Sequence, residues 1–261
     1  MYRGFKLDIN WLNRETIQAH KDDGYEIYKG TQNKVREGLN RYVGDDGITL
    51  NGSRLQDYWF PQIAADVFIS HSHKDKEIAI ELAGWLYKEL RLIPFIDSAV
   101  WGYGDDLLRR IDNKYCLNES KESYDYKKRN VTTSHVHMMV STALGKMIDN
   151  TECLIFLNTP NSTTSGTGAR TASPWLFSEL VMCSIVRVTP PDRSLILKSF
   201  SEELGPKTAA SQQITVEYDI ASMLAKLGVI TDLETWQSVA GSPSPSSKYA
   251  LNVLYALVPP S

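Results

Sequence analysis

The feature that most constrains the fold is a strand–helix–strand unit spanning residues 66–98. The apolar run Asp66-Val67-Phe68-Ile69-Ser70 enters the polar stretch His71-Ser72-His73-Lys74-Asp75. Ile78, Leu82, Trp85, Leu86 and Leu90 then recur at helical spacing. A second short apolar run, Ile93-Pro94-Phe95-Ile96-Asp97-Ser98, follows. Two buried strands joined by one helix must run parallel, so the unit demands a sheet covered by helices. Polar residues gather just after each strand, where open parallel sheets bind ligands.

The same alternation continues downstream. Ser134 to Ile148 reads as a helix, Glu152 to Asn158 as strand three, Leu195 to Ser199 as strand four and Ile214 to Tyr218 as strand five. Leu107 to Tyr115, Ile220 to Leu227 and Lys248 to Leu257 read as further helices. Ala99-Val100-Trp101-Gly102-Tyr103-Gly104-Asp105-Asp106 reads as a glycine-containing loop, Leu117 to Asn130 as a polar insertion loop, and Asn161 to Ala172 as a small-residue loop. Residues 1–63 read as an N-terminal extension, aromatic enough to pack on the core at 64–261. The expected architecture is α/β: a central parallel five-stranded sheet flanked by helices, with that extension added.

Bulk composition excludes several classes. The 261 residues carry a net charge of −3 with no basic stripe, which leaves nucleic-acid binding without an electrostatic footprint. No apolar run approaches the roughly 20 residues of a membrane span, and the start lacks a signal-peptide core. Three scattered cysteines, Cys116, Cys153 and Cys183, suit reduced thiols in a cytoplasmic setting.

One further segment carries chemistry. In Ser173-Pro174-Trp175-Leu176-Phe177-Ser178-Glu179-Leu180, Ser173 suits a helix N-cap and Pro174 the first helical position. Trp175 and Glu179 then fall one turn apart on the same face. An aromatic ring beside a carboxylate would hold a sugar or a cationic ring; ordinary packing beside a solvated acid is the alternative. The pairs His71/His73 and His135/His137 lack a third ligand at any known zinc spacing, so no metal site is expected.

Three segments together resemble the TIR (Toll/interleukin-1 receptor) domain family over roughly residues 64–227. Phe68-Ile69-Ser70-His71-Ser72 with Asp75 resembles its first box. Phe95-Ile96-Asp97 with the following loop resembles the second strand and BB loop. Ser173-x-Trp175-x-x-x-Glu179 resembles the box that carries the catalytic glutamate of NAD-cleaving members. Leu176 stands where the family has Cys, and 113–129 is longer than usual, which suggests a bacterial branch.

The resemblance implies a flavodoxin-like TIR fold and cleavage of the nicotinamide–ribose bond of NAD+. The product would be an ADP-ribose-derived signal in anti-phage defence, sensed by a separate effector protein. Glu179 would be catalytic. Ser70, His71, Ser72, His73, Lys74, Asp97, Trp101, Tyr103 and Trp175 would contact NAD+, with no cofactor beyond that substrate. Self-association would run through the 99–106 loop. Two other functions remain open at this point: a non-catalytic TIR scaffold working by homotypic contacts, and a nucleoside deoxyribosyltransferase-like enzyme.

Overall fold

In a computed structural model, residues 1–32, 43, 49–120, 122–164, 170–191, 217–241 and 247–259 are described. The chain opens with strand β1 (Arg3–Asp8), then helices α1 (Arg14–Gln18), α2 (Lys21–Gln32) and α3 (Gly52–Trp59). Strand β2 (Val67–Ser70), helix α4 (Lys76–Leu90) and strand β3 (Pro94–Ile96) form the expected strand–helix–strand unit. Helices α5 (Ser98–Tyr115) and α6 (Tyr126–Asn150) precede strand β4 (Cys153–Asn158). The short strand β5 (Arg170–Thr171) leads into α7 (Pro174–Ile185). Strand β6 (Tyr218–Asp219), α8 (Ala221–Leu224), β7 (Gly228–Ile230), α9 (Leu233–Ala240) and α10 (Ser247–Leu257) complete the described elements.

Two compact units share the chain. The first comprises Met1–Tyr28, Ala64–Asp97 and Ile148–Ser261; the second comprises Lys29–Ile63 and Ser98–Met147. The first contains a five-stranded sheet in the order β3-β2-β4-β1-β7, parallel throughout. Every residue of β2 and β3 is buried, as are the first five of β4. Because successive side chains point to opposite faces, both faces of these strands are covered.

The sheet has the expected number of strands but not the expected membership. Residues 3–8, placed in an appended extension, form an interior strand between β4 and β7. Phe5 and Leu7 supply its buried side chains, while Arg3, Lys6 and Asp8 obscure the apolar alternation. The boundary at 63/64 therefore does not divide the fold: residues 1–28 belong with the sheet and 29–63 with the second unit. Tyr218–Asp219, at the end of expected strand five, pairs antiparallel with β5 in a separate two-stranded sheet. Expected strand four, Leu195 to Ser199, lies outside the described residues.

Helix α2 and the residue before it lie close against α4. A Cβ added to Gly24 would sit 1.9 Å from the Ile80 carbonyl oxygen, and one added to Gly84 would sit 1.9 Å from that of His20. Lys21–Glu77 and Lys88–Asp23 ion pairs, both 2.9 Å, bracket the crossing. Trp85 meets Trp236 edge-on at 5.8 Å, and the Trp236 Nε1–H donates to the Ala250 carbonyl at 2.8 Å.

The second unit holds α3, α5 and most of α6. Residues 99–106, expected as a loop, are instead the first turns of α5. Ala99, Val100, Leu107 and Ile111 are buried on one side at helical spacing, which outweighs the two glycines. A Cβ on Gly104 would meet Val140 Cγ2 of α6 at 3.0 Å, so this glycine permits helix contact rather than a turn. The expected insertion loop is shorter than read, because Asp125 caps α6 by accepting from the Lys128 N–H at 2.9 Å. Buried Asp112 accepts from Arg129 Nε at 3.0 Å and Thr132 Oγ1 at 2.6 Å, tying α5 to α6.

Candidate functional site

The order β3-β2-β4 means that the chain leaves β2 toward β3 and later returns to β2's other side as β4. The carboxyl ends of strands flanking such a reversal, here β2 and β4, are the usual ligand position in open parallel sheets. Ser70 is the last residue of β2 and His71 follows it; Asp97 follows the last residue of β3.

Helix α7 begins beyond β5. The Ser173 hydroxyl accepts from the Leu176 N–H at 3.3 Å, and Pro174 occupies the first turn. The same cap fixes the helix phase, turning Leu176, Glu179 and Leu180 inward. Leu176 is fully buried and serves packing.

These elements bring four residues together. Ser70 Oγ donates to Glu179 Oε2 at 2.6 Å. His71 Nδ1 lies 2.5 Å from Asp97 Oδ1, and the His71 backbone N–H donates to Asp97 Oδ2 at 3.2 Å. Glu179 and Asp97 are within side-chain hydrogen-bonding reach of each other. Glu179 is only 1% exposed, and Ser70, His71 and Asp97 are fully buried.

Burial sets the proton chemistry of the cluster. It holds the Glu179 carboxyl well above the usual carboxylate range, and the Asp97 charge adds to the effect, while the Ser70 hydrogen bond opposes it. Burial also pushes His71 down from 6.5 to about 4, with the Glu179 and Asp75 charges opposing. Both shifts favour the uncharged form, the protonated carboxyl of Glu179 and the neutral imidazole of His71.

Asp75 ends the short turn that follows β2. It is buried and accepts from Thr159 Oγ1 at 2.5 Å and Asn161 Nδ2 at 2.7 Å, joining the loop after β2 to the loop after β4. Thr159 and Asn161 were not expected as part of this framework. Their place just beyond a buried strand, Cys153–Asn158, was the available signal.

The other expected contact residues lie on the turn after β2, on α7 and on α5. Ser72 is buried at the start of the turn, whereas His73 and Lys74 are exposed on it. Trp175 is half-buried one turn before Glu179. Trp101 and Tyr103 belong to α5 in the second unit, where the Tyr103 hydroxyl donates to the Thr31 carbonyl at 3.3 Å. Phe177 stacks on Tyr218 at 4.3 Å, fastening β6 to the catalytic-helix candidate α7. Among the described residues, no group of three or more His, Cys, Asp and Glu side chains is placed to hold a metal ion.

Fold and cluster together define an α/β protein whose parallel sheet gathers two carboxyl groups and an imidazole at its crossover. No family model matches the chain, and no curated protein or solved structure matches it significantly. Among the described residues, no helix is long and apolar enough to cross a membrane.

Proposed function

We propose that this protein is a TIR-type enzyme that cleaves the nicotinamide–ribose bond of NAD+, with Glu179 as the catalytic carboxylate. The observation that carries the reading is the Ser70–Glu179 hydrogen bond at the sheet crossover. It joins the first and third TIR-like boxes, and Asp97 of the second stands beside them.

In the reaction, the bond between ribose C1′ and the pyridinium nitrogen breaks, and its electron pair leaves with neutral nicotinamide. Positive charge builds on the ribose, and a carboxylate fixed beside it stabilises that charge. An acceptor hydroxyl then adds to C1′ and releases its proton. Glu179 is sealed in the resting protein, so the ribose reaches it only when the site opens. Opening removes the desolvation that keeps Glu179 neutral, and the cationic pyridinium favours the ionised form. Half-buried Trp175, one turn away, supplies an aromatic surface for the leaving ring.

The resemblance extends the reading to a cytoplasmic, oligomeric enzyme of anti-phage defence whose ADP-ribose-derived product a separate effector senses. Self-association through residues 99–106 would use a helical surface, including the exposed Gly102 and Asp105, rather than a loop.

The test is nicotinamide release and product mass for purified protein with NAD+, beside Glu179→Gln. Release by wild type alone is expected. Base release from deoxynucleosides but not from NAD+ would move the protein to the deoxyribosyltransferase-like class. No release from either substrate at high protein concentration would leave the scaffold role and overturn the enzyme reading.

A further inference from the structure

Trp11 stands apart from the other tryptophans whose side chains are described. Trp59, Trp85 and Trp236 are buried and Trp175 is half-buried, whereas Trp11 is 52% exposed. A lone exposed ring is ordinary on a protein surface. This one stands at the edge where open parallel sheets take their ligands. The 3-10 turn Ile9–Trp11 directly follows β1, so Trp11 lies beyond the carboxyl end of that strand. Asp8 is level with Asn158 of β4, and Phe156 of the same strand is level with Ser70 of β2. The end of β1 and the Ser70–Glu179 pair therefore share one edge of the sheet, two strand spacings or roughly 10 Å apart. All of these residues belong to the first unit.

Polar side chains line the strand ends between them. Asn158 Nδ2 donates to Asp8 Oδ1, and Thr163 Oγ1 donates to Asn158 Oδ1 at 3.1 Å. Asp8 is partly exposed, and its Oδ2 pairs with Lys6 Nζ at 3.5 Å. A carboxylate offers about four acceptor sites, so Asp8 can still accept from hydroxyl groups.

We infer that Trp11 and Asp8 form the subsite for the adenosine half of NAD+. The adenine ring stacks on the Trp11 indole, and hydroxyls of its ribose donate to Asp8. The choice of adenosine rests on the proposed NAD+ cleavage. A dinucleotide whose far ribose reacts at Glu179 needs a second anchor along the same edge. Every base has a stacking face, so an exposed indole supplies affinity there. An acidic side chain beside it selects a ribose, as acids do in other dinucleotide-binding sheets. Both residues lie outside the 64–227 stretch that carries the family resemblance.

The direct experiment is calorimetric titration of the full chain with ADP-ribose, which keeps the adenosine half and reads binding without nicotinamide release. Trp11→Ala should weaken binding by roughly 10-fold or more, and Trp11→Phe should restore most of it. Asp8→Asn, which keeps the side chain's shape, should weaken it by roughly 10-fold. Equal affinity in wild type and Trp11→Ala overturns the subsite, as does failure of ADP-ribose to bind wild type. Loss of affinity that Trp11→Phe does not restore overturns the stacking role. Unchanged affinity in Asp8→Asn overturns the ribose contact.

The second readout is NAD+ cleavage. Trp11→Ala should raise KM for NAD+ by roughly 10-fold with kcat little changed. It should also erase the preference of wild type for NAD+ over nicotinamide mononucleotide, which lacks the adenosine half. A preference that persists in Trp11→Ala overturns the subsite while cleavage itself stands. Binding of ADP-ribose through Trp11 without any cleavage by wild type strikes the enzyme reading alone.

Discussion

Ser70 and Glu179 are separated by 109 residues in the chain, yet a fully buried 2.6 Å hydrogen bond joins them. The hydroxyl donates, so it stabilises the ionised carboxyl more than the neutral one. Hydrogen bonds to charged groups contribute roughly 1.5–3 kcal/mol. Ser70→Ala should therefore lower kcat/KM for NAD+ at neutral pH by roughly 10- to 100-fold. It should also shift the acid limb of the pH profile upward, because the Ser70 hydrogen bond lowers the Glu179 pKa. A pH–rate series on wild type and the variant checks the direction.

Stability should vary with pH in two opposing stretches. His71 has a folded-state pKa of about 4 against an ordinary 6.5, so the unfolded chain binds its proton more readily. Stability from this residue therefore rises with pH between those values, by up to about 3 kcal/mol. Glu179 acts in the other sense. Its raised folded-state pKa means that its favourable contribution is full below the ordinary carboxylate pKa and is lost as pH rises through the folded value. The two offset each other in mildly acidic solution. The buried Cys153 and Cys183 thiols add their own loss at alkaline pH. Denaturant titrations across pH should show Glu179→Gln removing the Glu179 part of the decline and leaving the thiol part in place.

The α2–α4 crossing should tolerate no side chain. Gly84→Ala or Gly24→Ala would drive a methyl group against backbone carbonyl oxygen, which cannot rotate away. Overpacking of this kind costs about 1–3 kcal/mol, and the backbone clash places these variants at the upper end. The check is a lower denaturation midpoint with an unchanged slope.

Gly102 and Gly104 should respond differently to the same substitution. Gly102 is exposed within α5 and has nothing near its missing Cβ, so Gly102→Ala should stabilise the protein by roughly 0.5–1 kcal/mol. Gly104 is buried against Val140, and the close contact should cancel that gain. A destabilised Gly102→Ala would instead indicate a turn at 99–106. Thermal melts of the two variants separate the cases.

The glycines also explain what the sequence concealed. Two of them within three residues read as a turn, although the apolar spacing of Val100, Leu107 and Ile111 already matched a helix. Strand β1 was hidden because Arg3, Lys6 and Asp8 interrupt a six-residue stretch, and β7 is only three residues long. β2 and β4 were legible because strands covered on both faces need uninterrupted apolar runs. The acids and hydroxyl of the site were legible for a related reason: each directly follows or ends such a run, or sits at a capped helix start. His73 and Lys74 project to solvent, because sequence adjacency to a strand end does not determine side-chain direction in a short 3-10 turn.

The interior position of β1 bears on how the protein is made. Asp8 reaches its sheet neighbour Asn158 across 150 residues of chain, and β7 is synthesised later still. Pairings this remote close large loops and slow the search for the native state. A growing polypeptide thus carries a strand that waits for partners on both sides. Trimming the chain to begin at Ala64 would give the opposite defect, an open flank on β4 in the middle of the sheet, primed to recruit another molecule's strand. Expression of residues 64–261 alone should consequently yield aggregates rather than a smaller folded protein.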